Sequence, residues 1–205
     1  MDYKNITSET SINNAITALT NHSFIPVVVE NKEEALKKVI ELIPKGSSVN
    51  DGASKTLEQI GFTDFLKKGE HGWNNLHDAI LKETDQAKQG LLRKQLSVSD
   101  YYLGSVHAIT ETGELVISSA TGSQLPALAH NAQNLVLVVG SQKIVPTLND
   151  AFDRIEKYVI PLEDERLRAV YGMGTLHAKT LILRAEHPMM GRKVHVIIVK
   201  EALGF

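Results

Sequence analysis

Two side chains four residues apart, His107 and Glu111, are where this chain first offers chemistry. They lie in Gly104-Ser105-Val106-His107-Ala108-Ile109-Thr110-Glu111, a strand-like run that ends at a Thr112-Gly113 turn. An imidazole gives or takes a proton near neutral pH, and a carboxylate serves as base or nucleophile. The pair reads as catalytic, with Glu111 as base or nucleophile and His107 as acid or base. The same spacing also suits a half-buried strand histidine and an exposed turn carboxylate, because isolated His/Glu pairs are common.

Two hydroxyl-rich glycine loops stand nearby. Thr121-Gly122-Ser123 opens a short helix, and Asp51-Gly52-Ala53-Ser54 follows a weak strand and starts another. Helix N-termini carry unpaired N–H groups and a partial positive charge, so phosphate or carboxylate binds there. Glycine allows close backbone approach, and Thr121, Ser123 and Ser54 add hydroxyls. Plain helix capping would use the same residues. Lys143 follows the most apolar run and is placed either to pair with an acidic ligand or to sit solvated at a strand end. Arg154, Arg166 and Arg168 stand among acidic residues as helix ion pairs.

The elements that must position these groups alternate. Ile12, Ala15, Ile16 and Leu19 give a helical face, Ile25–Val29 a short strand, and Leu36, Val39, Ile40 and Ile43 a second helix. Gly61 is placed as a helix-ending glycine. Residues 62–73 read as irregular, and one long polar helix is expected over about 74–97. A hairpin joins His107–Thr110 to Glu114–Ser118. Leu135–Val139 is apolar on both faces, as an interior parallel strand is. Leu148, Ala151, Phe152, Ile155 and Val159 mark a helix, and Thr180–Arg184 and Val194–Val199 close the sheet. Alternating strands and helices predict one α/β domain over residues 1–205 with a mostly parallel sheet and an appended long helix. Both glycine loops would then open at the carboxyl ends of strands, where open α/β sheets bind ligands.

Composition limits the rest. In 205 residues, 42% are hydrophobic and the net charge is −2, which suits a real core and gives no basic footprint for nucleic acid. No run approaches the ~20 apolar residues of a membrane span. The first residues form no apolar signal core, so the cytoplasm is the expected compartment. There is no cysteine, which excludes all-thiolate iron–sulfur ligation and disulfides by this chain alone. The histidines show no metal-ligand spacing. No cofactor is expected on this chain alone, and no metal.

Several short pieces, in order along nearly the whole chain, resemble the LUD domain family, whose named members include lactate utilization protein C. They are Gly52-x-Ser54-x-Thr56-Leu57-x-x-x-Gly61, Val106-His107-Ala108-Ile109-Thr110-Glu111-x-Gly113-x-Leu115, Thr121-Gly122-Ser123, Val138-Val139-Gly140-x-x-Lys143-Ile144-Val145-Pro146 and Glu201-x-Leu203-Gly204-Phe205. The resemblance implies a three-layer α/β/α sandwich like that of the ribose-phosphate isomerase and CoA-transferase superfamily. It also implies a link to bacterial growth on L-lactate, beside iron–sulfur oxidoreductase partner proteins that oxidise lactate to pyruvate. Other branches favour Asn where this chain has His107. Glu111-Thr112-Gly113 is distantly similar to the Glu-Asn-Gly of CoA-transferases.

The expected site joins Gly52 and Ser54, Gly104, Thr121, Gly122, Ser123 and Lys143 around a small anionic metabolite, with Glu111 or His107 on its wall. An isomerase or acyl-CoA-transferase type of enzyme using Glu111, and a non-catalytic accessory or regulatory subunit, are the alternatives.

Overall fold

The computed structural model describes residues 2–205. Its first half runs α1 (Glu9–Asn21), β1 (Ile25–Val29), α2 (Lys32–Leu42), β2 (Ser48–Asp51), α3 (Lys55–Gln59), α4 (Phe62–Lys68), β3 (Asn74–Asn75), α5 (Leu76–Lys82), α6 (Gln86–Gln95) and β4 (Ser99–Gly104). Then come β5 (Ala108–Thr110), β6 (Leu115–Ser119), a π-helical turn (Ala127–Asn131), β7 (Ala132–Gly140), a short 3-10 turn (Ser141–Lys143) and β8 (Ile144–Val145). A helical run follows as α7 (Leu148–Arg154), a π turn (Ile155–Val159) and α8 (Ile160–Tyr171), before β9 (Lys179–Leu183) and β10 (Lys193–Val199).

Six strands form one wholly parallel sheet in the order β1-β10-β7-β4-β2-β3. β7 lies inside it, between β10 and β4, with Leu135 to Val139 fully buried. Its alternate side chains serve both faces. Val136 and Val138 pack with α2, α3 and α4 through Val39, Leu57 and Phe62, while Leu135, Leu137 and Val139 pack toward α1 through Ala15 and Leu19. That double coverage is what a five-residue apolar run demands. The result is a three-layer α/β/α sandwich, as the family resemblance implies.

Three expectations need correction. First, Thr180–Arg184 does not join Val194–Val199. β9 belongs to a second, four-stranded sheet of order β8-β5-β6-β9, in which β5 and β8 are parallel and the other pairs antiparallel. α7 and the π turn after it cover the outer face of this sheet, with Ala151 and Ile155 against Ala108 and Val116. Second, the single helix over 74–97 is two helices. Glu83 leaves helical geometry, and the Asp85 side chain accepts from the Lys88 N–H to start α6 anew. Third, residues 62–73 are not all irregular, because Gly61 both ends α3 with φ 81° and precedes α4.

The chain changes sheets once in the region that matters. β4 ends at Gly104 in the large sheet, and β5 begins at Ala108 in the small one. Ser105, Val106 and His107 bridge the gap, with Val106 in the core between the sheets, Ser105 beside Lys143 and His107 accepting from the Ser118 N–H.

Candidate functional site

All six parallel strands point the same way, so the residues after β2, β4 and β7 gather at one edge. Lys143 is 3% exposed there, and its Nζ donates to Thr56 Oγ1 at 3.1 Å and to Ser105 Oγ at 3.2 Å. Thr56 comes from the first turn of α3, Ser105 from the end of β4. The tail closes over them: Gln142 Nε2 donates to the Leu203 carbonyl at 2.8 Å, and the Gly204 N–H donates to Gln59 Oε1 at 2.6 Å. Gly204 has φ 66°, and a Cβ on it would lie 3.0 Å from Lys143 Nζ, so only glycine lets the tail pass so close.

Arg154 faces the same region from α7. It is fully buried, and its Nη1 donates to the His107 carbonyl at 2.6 Å. Its Nε and Nη2 have no partner. The Tyr3 and Tyr158 rings flank the guanidinium at 5.9 and 5.3 Å. Among the described residues neither Lys143 nor Arg154 has a carboxylate partner; their hydrogen bonds go to hydroxyls and a carbonyl. The π turn that follows Arg154 precedes Pro161, which has no N–H to complete a regular ladder.

The electrostatic consequence is uniform. Burial, and then the nearby Arg154, hold the Lys143 amine well below its ordinary value. Burial lowers Arg154 to about 10, partly offset by the two tyrosines. Burial, then Lys143, Arg154 and His177, push His107 down to about 3, so its ring is neutral. The Ser118 N–H donates to His107 Nδ1 at 3.0 Å, which leaves the proton of that neutral ring on Nε2. Three basic groups thus share a dry corner, and among the described residues none of them has a carboxylate partner.

The two glycine loops adjoin each other. A Cβ on Gly52 would lie 2.4 Å from the Tyr102 hydroxyl and 3.3 Å from Gln124 Oε1, the residue after Ser123. Gly104 abuts the same Tyr102 ring. The loops do not leave their donors free, however. Ser54 Oγ accepts from the Leu57 N–H as an ordinary cap. The Gly122 N–H donates to Ser119 Oγ at 2.9 Å, and the Ser123 N–H to Thr121 Oγ1 at 3.3 Å. Gly122 has φ 83°, and Lys179 Cδ would be 2.8 Å from any Cβ placed on it. Asp51 turns toward α5, with His77 Nδ1 2.9 Å from its Oδ1, and that carboxylate raises the His77 pKa.

Glu111 is elsewhere. Its N–H donates to the Val145 carbonyl at the end of β5, where the chain turns as the Gly113 N–H donates to the Thr110 carbonyl, and the four residue steps from His107 along the strand span about 13 Å. Its Oε2 accepts from Asn14 Nδ2 of α1 at 2.8 Å. It lines a cavity of about 300 Å³ walled also by Tyr3, Thr7, Ser11, Gln142 and Pro146. His107 and Glu111 therefore lie at opposite ends of one short strand.

Arg154 is the residue that sequence reasoning misplaced. Arg166 and Arg168 do pair with Glu163 and Asp164 on α8, but Arg154 pairs with no acid. The available signal was its position between Ala151 and Ile155 on the apolar side of its helix. Thr56, Ser105 and His177 were not marked as site residues either. Among the described residues, no group of three or more His, Asp or Glu is arranged to hold a metal, and no helix is long and apolar enough to cross a membrane.

A parallel sheet between helical layers, with a buried lysine at its carboxyl edge and a buried arginine on the helix over the small sheet, defines an α/β sandwich of the kind that binds ligands where the sheet ends. The chain belongs to the LUD domain family, whose model matches residues 12–199. Its fold is similar to the crystal structure of a DUF162 family protein from Deinococcus radiodurans, with a TM-score of 0.59 and 12% identity over 95% of this chain and 99% of that one. No curated protein sequence matches it.

Proposed function

We propose that the chain binds a small anionic metabolite in the crevice around Lys143, His107 and Arg154, and does so in bacterial L-lactate utilization beside iron–sulfur oxidoreductase partners. One observation carries the binding reading. Lys143 and Arg154 are buried without a carboxylate, and Arg154 keeps two donors unpartnered. A buried guanidinium is ordinarily paired, and a ligand carboxylate or phosphate supplies the partner that Arg154 lacks while offsetting the positive surroundings that depress Lys143. The metabolic setting rests on membership of the LUD domain family alone.

An isomerase or acyl-CoA-transferase type of reaction built on Glu111 draws on the neighbouring cavity of about 300 Å³, which Glu111 lines together with Tyr3 and Gln142. The two readings separate in a thermal-shift series with 2-hydroxy acids, 2-oxo acids, sugar phosphates, CoA esters and their uncharged amide analogues. Stabilisation should follow about RT ln(1 + [L]/Kd) for the anions and vanish for the amides. Equal shifts for acid and amide, or none for any anion, would rule out the crevice as the binding site.

A further inference from the structure

The partners of Lys143 say which form of the amine the fold accommodates. An ammonium has three N–H groups and wants negative charge nearby. A neutral amine has two N–H groups and one lone pair. Lys143 Nζ has two hydrogen-bond partners, the hydroxyls of Thr56 and Ser105, and both are neutral. With both N–H groups engaged, the lone pair occupies the remaining direction. A buried, uncharged amine of this kind is a nucleophile for carbonyl carbon, which an exposed ammonium is not.

We propose that Lys143 captures a small 2-oxo acid as a Schiff base. This rests on the reading of the crevice as an anion site and narrows it to one ligand class. The lone pair of Nζ adds to the keto carbon, forming the C–N bond as the C=O π pair moves to oxygen. That oxygen takes up a proton as nitrogen loses one, with the Ser105 hydroxyl beside Nζ as the relay. The carbinolamine then loses its hydroxyl as water, taking one further proton from solvent, and a protonated imine remains. Amine, oxo acid and one proton give iminium and water, and nothing is oxidised or reduced.

The charge balance selects the class. The surroundings that disfavour an ammonium at Nζ disfavour an iminium there too. A carboxylate on the carbon next to the imine cancels that charge within the ligand. Arg154, close enough to disfavour charge on Lys143 and with Nε and Nη2 unpartnered, favours a ligand that brings negative charge into this corner. A simple ketone or aldehyde brings no such compensation, and a sugar phosphate carries its charge far from the reacting carbon.

The test is reductive trapping on the intact protein. Pyruvate and, separately, glyoxylate are added with sodium borohydride, and the digested chain is mapped by mass spectrometry. One adduct is expected, on the peptide holding Lys143, heavier by the mass of the oxo acid less one oxygen atom. It should require both reagents. The exposed lysines Lys67 and Lys82 act as internal controls. Ser105→Ala should slow labelling several-fold while Lys143→Arg abolishes it; the peptide map locates the adduct even if neither variant folds. Label spread over exposed lysines with Lys143 unmodified overturns the proposal. If pyruvate and L-lactate both raise the melting temperature but Lys143 stays unlabelled, the anion crevice stands and the Schiff base is wrong. If neither compound stabilises and none labels, the crevice reading fails as well.

Discussion

The two ends of β5 are built on opposite terms. At the His107 end, basic groups are packed away from water with hydroxyls and a carbonyl for company. At the Glu111 end, a partly exposed carboxylate accepts from Asn14 beside an open cavity. The first arrangement is costly to the fold and specific for what would relieve it. The second is an ordinary surface hydrogen bond. Spacing in sequence made the two residues look like one acid–base pair, yet β5 between them is extended and carries them about 13 Å apart before the chain turns.

The largest effect should come from Lys143→Met. A flexible apolar side chain of similar length removes the buried amine, so anion-induced stabilisation should disappear. The unliganded protein should meanwhile gain about 1–3 kcal/mol, read as a higher denaturation midpoint, because a buried amine costs more than an apolar chain. A variant that is both less stable and still responsive to anions would break the contrast between the two ends.

Acid should act next, through His107. Its folded pKa of about 3 lies below its ordinary value of 6.5, so between those values the unfolded chain holds the proton and the native one does not. Stability from this source is intact above about pH 6.5 and falls as pH drops, by about 1.4 kcal/mol per unit at most. His107→Asn can keep an acceptor for the Ser118 N–H and cannot titrate, so it should flatten the slope of denaturant stability between pH 6 and pH 4. An unchanged slope would show that the imidazole is not held neutral.

Glu111→Gln should matter least. The amide keeps an oxygen for Asn14, so stability should change by less than about 0.5 kcal/mol and binding in the crevice should be unaffected. Loss of anion-induced stabilisation in this variant would mean that the two ends of β5 do serve one ligand.

Much of the frame was legible because periodicity encodes it. Leu135–Val139 had to be an interior strand, and the Ile12–Leu19 face had to be helical. The Gly52 and Gly122 loops do adjoin, though not as strand direction in one sheet would bring them together, because the Gly122 loop follows β6 of the small sheet. What stayed hidden depends on partners distant in the chain. Leu181–Leu183 and Val194–Val199 both look like strands, and nothing local says that they enter different sheets. The break at Glu83–Asp85 is one cap within a polar stretch. Arg154 looked like a surface ion-pair residue because its acidic neighbours in sequence, Asp150, Asp153 and Glu156, suggested partners that the folded helix does not supply. Burial, not residue type, made it part of the site.

The sheet order also governs how the molecule can be assembled. β10 is made last among the strands, yet it lies between β1 and β7 and pairs with both. Ile25 finds its neighbour His195 only after nearly the whole chain has been synthesised. Until then β7, the most apolar strand, has one side unpaired, and no hairpin can close it, because a parallel neighbour must come from far along the chain. Folding is thus expected to be slow and late, with an open apolar strand edge exposed on the nascent chain. In a concentrated cell that edge is the point at which a second chain can add itself before β10 does.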